Sequence, residues 1–139
     1  MTIIRTRDLC GAALDWAVAR AYGVKAKDIG ISEITDELDE FFGETRVLTW
    51  DRHAEAVVPF TPSTSPAMAG EAIAAMGMSI EAPNAEHGWI ACIGQNYEQE
   101  GPDLQTAVMR CRVEETLGGE VDIPDSLIPK ENKAPRPRG

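Results

Sequence analysis

Long apolar runs, clustered histidines and paired cysteines are missing from this 139-residue chain, and each absence removes a class of function. No apolar stretch approaches the ~20 residues that span a bilayer. The opening MTIIRTRDL turns charged after four residues and does not read as a signal peptide, so a bacterial cytoplasm is the expected location. The three cysteines, Cys10, Cys92 and Cys111, lie far apart beside apolar neighbours. They show no metal-binding spacing and read as reduced, buried thiols. No GxSxG, HExxH or phosphate-cradling glycine loop occurs. His53, near Asp51 and Glu55, and His87, beside Glu86, are the two imidazoles. Neither has more than sequence proximity to recommend it as a base. The chain is therefore expected to be noncatalytic, with no cofactor and no metal.

Bases are scarce too: 13 Lys and Arg stand against 23 Asp and Glu, a net charge of −10. Nucleic acid is bound through a basic face that displaces condensed counterions, so direct nucleic-acid binding is not expected. Large apolar residues are few, with Val, Leu, Ile and Phe totalling 29 against eighteen alanines. Alanine favours helix but buries little area, so close helix contacts must carry the packing.

What is present predicts one α+β domain over residues 1–123, with three to four helices on a small, mainly antiparallel sheet. Cys10, Ala13, Leu14, Ala17, Val18 and Ala21 recur at helical spacing, with Asp8 as a cap and Gly23 as a stop. Trp16 falls off that stripe and needs cover from another segment. Residues 28–58 form an acidic variable segment. In it Ile34, Leu38, Phe41 and Phe42 predict a short amphipathic helix within 28–45, ahead of strands at 46–50 and 57–60. Pro59 suits an edge. A TPSTSP loop leads to a helix over Pro66–Met76, capped by Ser65 or Thr64 and closed by Gly77. Residues 78–82 and 88–93 predict a hairpin whose second strand, apolar on both faces, lies inside a sheet. The last helix, over 102–117, begins with Pro102 in its first turn. It carries one face of Leu104, Ala107, Val108 and Cys111 and another of Met109, Val113 and Leu117. A helix apolar on two sides is either sandwiched within the fold or lies at a subunit contact, and a face left uncovered there predicts a homodimer. Residues 124–139, proline-rich with charge +2, predict a disordered basic tail, which leaves −12 on residues 1–123.

Three ordered segments carry a family resemblance. Gly11-Ala-Ala-Leu-Asp-Trp-Ala-Val-Ala19 resembles a GxxLDWAVA opening, and Pro62-Ser63-Thr64 resembles a Pro-Ser-Thr-Asp-Trp loop. Trp89-Ile90-Ala91 and then the stretch from Gly101 to Cys111 resemble a W-x-A strand and a GxTPLIAAMRCYV helix, continued by GGEVDI at 118–123. Together these are similar to the NinX-like proteins of lambdoid-phage nin regions, a family without an assigned biochemical function. The chain departs from the pattern at Ser65-Pro66, where the family has an acid and a tryptophan. It departs again at Ala69-Gly70-Glu71, where the family has a double glycine and a proline. The resemblance implies phage ancestry and carries over Asp15, Trp16, Ser63, Thr64, Trp89 and Arg110 as candidate ligand-binding residues. Arg110 would either pair with Asp15 or hold an anion. The leading expectation is an accessory protein that binds a host or phage protein. The alternatives are a small-molecule or nucleotide-signal binder and an acidic mimic of DNA.

Overall fold

The computed structural model describes residues 1–33 and 45–128. Among the described residues, three α-helices and three small antiparallel sheets alternate along the chain. The architecture is α+β as expected, but the strands form separate sheets instead of the single small sheet that the sequence suggested. β1 (Thr2–Arg5) pairs with β8 (Glu120–Ile123), Thr2 opposite Ile123 and Arg5 opposite Glu120. β2 (Gly30–Glu33), β3 (Thr45–Asp51) and β4 (Ala56–Pro59) form a second sheet in that order. β5 (Ser79–Glu81), β6 (Trp89–Ile93) and β7 (Tyr97–Gly101) form the third, with β6 inside as its two apolar faces predict. Pro59 sits on the outer strand of its sheet, where a missing N–H costs no ladder bond.

Helix α1 (Gly11–Ala21) buries every residue from Ala13 to Ala19, including Trp16 at 3% exposure. Its cap is Cys10, not Asp8, because Thr6–Asp8 form a 3-10 turn ahead of it. Helix α2 (Pro66–Met76) starts as predicted: Ser65 Oγ accepts from the Met68 amide at 3.2 Å, and Gly77 closes it in the left-handed region at φ 63°. Helix α3 (Leu104–Leu117) begins two residues later than expected. Pro102 precedes it and Asp103 is the cap, its Oδ1 accepting from the Thr106 amide at 2.8 Å.

α3 is the centre of the molecule. It packs on β6 and β7 and also against α1 and α2. Ala107, Val108, Met109, Cys111 and Val113 are all buried, so both of its apolar faces find cover within one chain. The uncovered face that motivated a homodimer through 102–117 is not there. Close approach depends on Gly101, where an added Cβ would stand 2.6 Å from the Ala107 amide nitrogen. Leu9, Leu14, Val18 and Ile123 complete the core, each worth about 1.5–3 kcal/mol when withdrawn from water.

Asp125–Leu127 form a 3-10 turn, and Leu127 and Ile128 are buried, so packing continues past the expected boundary at 123. The rest of the expected tail, 129–139, and most of the expected amphipathic helix, 34–44, lie outside the described residues. The head of that helix segment, Gly30–Glu33, is strand. Among the described residues no helix is long and apolar enough to cross a membrane.

Candidate functional site

Asp15 stands on the buried side of α1 with only 5% exposure. Its Oδ1 accepts a hydrogen bond from the Ser63 amide at 2.7 Å, linking α1 to the 3-10 turn Pro62–Thr64 after β4. Withdrawal from water pushes the carboxyl up to about 6, and the Ser63 amide and hydroxyl pull it partly back. Gly11, Ala12, Asp15, Arg46, Thr61, Ser63 and Thr64 line a cleft of about 470 Å³. Gly11 and Ala12 open α1, and the capping residue Cys10 lends no side-chain bond to their turn. Thr64 is exposed and donates its hydroxyl to the Thr61 carbonyl at 3.2 Å. The cleft thus combines uncapped helix amides, hydroxyls, a guanidinium and a carboxyl able to hold a proton near neutrality.

Arg110 does not pair with Asp15. Asp15 is already committed to Ser63, whereas Arg110 reaches the opposite way. Its Nε donates to the Leu9 carbonyl and its Nη1 to the Glu100 carbonyl, each at 2.7 Å. It ties the start of α1 to the end of β7. Burial lowers its pKa, opposed by Cys10, Asp8, Asp103 and Glu100 nearby. Arg110 lines a second cleft with Arg7, Asp8, Glu98, Gln99 and Glu100.

The two indoles line neither of these clefts. Trp16 is core, with the Arg20 guanidinium 6.0 Å from its ring, and Trp89 is half-buried against the core. The six residues therefore divide: Asp15, Ser63 and Thr64 share one cleft, Arg110 belongs to another, and Trp16 and Trp89 pack. Arg46 and Gln99, which sequence reasoning did not single out, join the clefts through contacts that no local spacing announces.

Both histidines sit in turns. The Asp51 carboxylate accepts from the backbone amides of His53 and Ala54, at 2.9 and 3.5 Å, and so shapes the β3–β4 turn. His87 lies 2.6 Å by Nδ1 from the Gly88 carbonyl and 3.0 Å by Nε2 from Asn84 Nδ2. Cys10 is exposed, contrary to the expectation of three buried thiols, because it caps α1 from outside; Cys92 is half-buried and Cys111 buried. Among the described residues no three His, Cys, Asp or Glu side chains group closely enough to hold a metal ion.

No curated protein matches the chain. The family described as Bacteriophage P22, NinX matches residues 5–115, a span that includes both clefts' motif residues and all three helices up to the last turn of α3. The chain belongs to that phage NinX family.

Proposed function

We propose that this NinX-family chain is a noncatalytic accessory protein of the host cytoplasm that binds a host or phage protein with a basic surface. The observation that carries the reading is on the β3–β4 hairpin. Trp50 and Val57 are cross-strand partners, yet they are 62% and 57% exposed. Leu48 and Pro59, two positions along, share their face. Tryptophan is costly to leave in water and dominates protein–protein contacts, so an indole beside a valine on an open sheet face suits a partner. The net charge of −10 suits a basic one, through steering and selectivity more than affinity. The test is quantitative capture from infected cells on immobilised wild-type chain and on a Trp50→Ser variant with an unchanged melting temperature. A partner retained by the first and depleted at least about tenfold on the second supports the reading. Nothing above control, or equal retention on both, sinks it.

A second reading, a small-molecule or nucleotide-signal binder, draws support from the Asp15 cleft. A carboxyl with its pKa raised to about 6, beside the Ser63-Thr64 turn and Arg46, offers both donors and acceptors to a polar ligand. Native mass spectrometry of freshly purified protein decides it. A retained mass that Ser63→Ala and Asp15→Asn both release favours this reading, and bare protein counts against it.

A further inference from the structure

We propose that β1 is a dimerisation edge, through which two copies of this chain join antiparallel, Ile3 opposite the partner's Ile3, to make one sheet in the order β8-β1-β1-β8. This surface uses no residue of the hairpin face or of the Asp15 cleft, and α3 takes no part in it.

The ladder shows which edge of β1 is unspent. The Thr6 amide donates to the Gly119 carbonyl at 2.8 Å, in line with the register that sets Arg5 opposite Glu120 and Thr2 opposite Ile123. Along an antiparallel strand, residues that exchange both backbone bonds with the neighbour alternate with residues that turn both groups away. Thr2, Ile4 and Thr6 therefore face β8. The N–H and C=O groups of Ile3 and Arg5 point to the other side, where no described residue bonds to them. A bare edge is a template for a further strand, and Thr2–Arg5 has neither a proline nor a bulge to blunt it.

The side chains agree with the backbone. Ile3 is 63% exposed and Met1 66%. Space is open against the strand: all four residues of β1 line a groove of about 900 Å³, together with Leu9, Cys10 and Ala13.

Register selects the occupant. Outward-turned residues must pair with outward-turned residues, so two copies of β1 can centre on Ile3, Ile4 or Arg5. Centred on Arg5, the ladder runs into the 3-10 turn Thr6–Asp8 and sets two guanidiniums face to face. Centred on Ile4, it puts each Ile3 beside a guanidinium and leaves Met1 unmatched. Centred on Ile3, it uses the whole strand. The exposed isoleucines then meet at the two-fold axis, and each Met1 lies beside the partner's Arg5. The guanidiniums stand roughly 14 Å apart, beyond the reach of strong repulsion in physiological salt. This self-match of apolar centre and distant charges favours a second copy over the strand of another protein, and the two-fold closes the assembly at a dimer.

The experiment is sedimentation equilibrium of the full chain, followed by cysteine cross-linking. The wild type is expected to dimerise reversibly, and more tightly as salt screens the −10 that each copy carries. Ile3→Lys, at an exposed position, sets like charges directly opposite and should weaken the dimer at least about tenfold. Ile3→Cys and Arg5→Cys are then compared, each combined with Cys10→Ser to silence the exposed thiol. Opposed Ile3 positions lie about 5.5 Å apart, within disulfide range, so Ile3→Cys should cross-link at least about tenfold faster than Arg5→Cys under mild oxidation. A strict monomer up to about 1 mM overturns the proposal. So does a dimer that salt weakens, a dimer that Ile3→Lys leaves intact, or equal cross-linking at the two positions. The wild-type and cross-linking results stand whether or not Ile3→Lys folds.

Discussion

Replacing Asp15 by asparagine should stabilise the protein at neutral pH, by an amount that grows with pH. Burial raises the folded-state pKa from 3.8 to about 6. An acid that holds its proton more tightly when folded favours folding fully below its unfolded pKa, and that contribution drains away as pH rises through the folded value. The whole effect is about 3 kcal/mol, since each tenfold gain in proton affinity is worth roughly 1.4 kcal/mol. Roughly half has already gone by pH 5, so about 1.4 kcal/mol falls between pH 5 and 7.5, a range clear of the isoelectric point near 4.6. Asparagine keeps the shape and an oxygen for the Ser63 amide but does not titrate, and comparison with it cancels the other 22 acids. Urea unfolding of both proteins across this range should show the variant gaining about 1.4 kcal/mol on the wild type, or about 5 °C in melting temperature. A gap that stays flat refutes the buried-acid reasoning. A gap that closes as pH rises would mean that charged Asp15 is held by a cation in its cleft.

Gly101→Ala should destabilise by about 2 kcal/mol or more in the same unfolding assay, since its Cβ would meet the α3 backbone at 2.6 Å; an unchanged midpoint would show that the first turn of α3 yields freely. Arg110→Ala strips the donors from the Leu9 and Glu100 carbonyls and should cost about 2 kcal/mol, read as a lowered melting temperature. Thiol labelling at pH 8 should show one fast cysteine, the exposed Cys10. Cys111 should lag far behind, being buried with its pKa pushed up to about 12; mass mapping that finds Cys111 labelled as fast contradicts the packing of α3 on β7.

The helices were legible because their signals are local. Apolar spacing marked α1, Ser65 and Gly77 bracketed α2, and the double-faced pattern of α3 foretold its central place. The strands were legible only where side chains alternate in polarity or are apolar throughout, as in β3 and β6. β7 escaped because its inward residues are Tyr97, Gln99 and Gly101, a pattern in which only the tyrosine is apolar. β1 and β8 escaped as a pair because their partnership joins residues more than a hundred positions apart. The candidate site was half legible. Asp15, Ser63 and Thr64 do share a cleft, but the direction Arg110 takes depends on which carbonyls surround it. No spacing in the chain encodes that, nor does it show that Trp16 and Trp89 are needed as packing.

The meeting of β1 with β8 places the beginning of the described chain in the grip of its end. The Met1 amino group lies 3.6 Å from the Asp125 carboxylate, beyond the last rung of the ladder. Val121, Ile123, Leu127 and Ile128 supply part of the core into which α1 docks. During synthesis the first strand must wait, unpaired, until nearly every other packed residue has emerged. The pairing of β1 with β8 therefore becomes available only late in synthesis. A protease that trims the chain back past Val121 would release both ends at once.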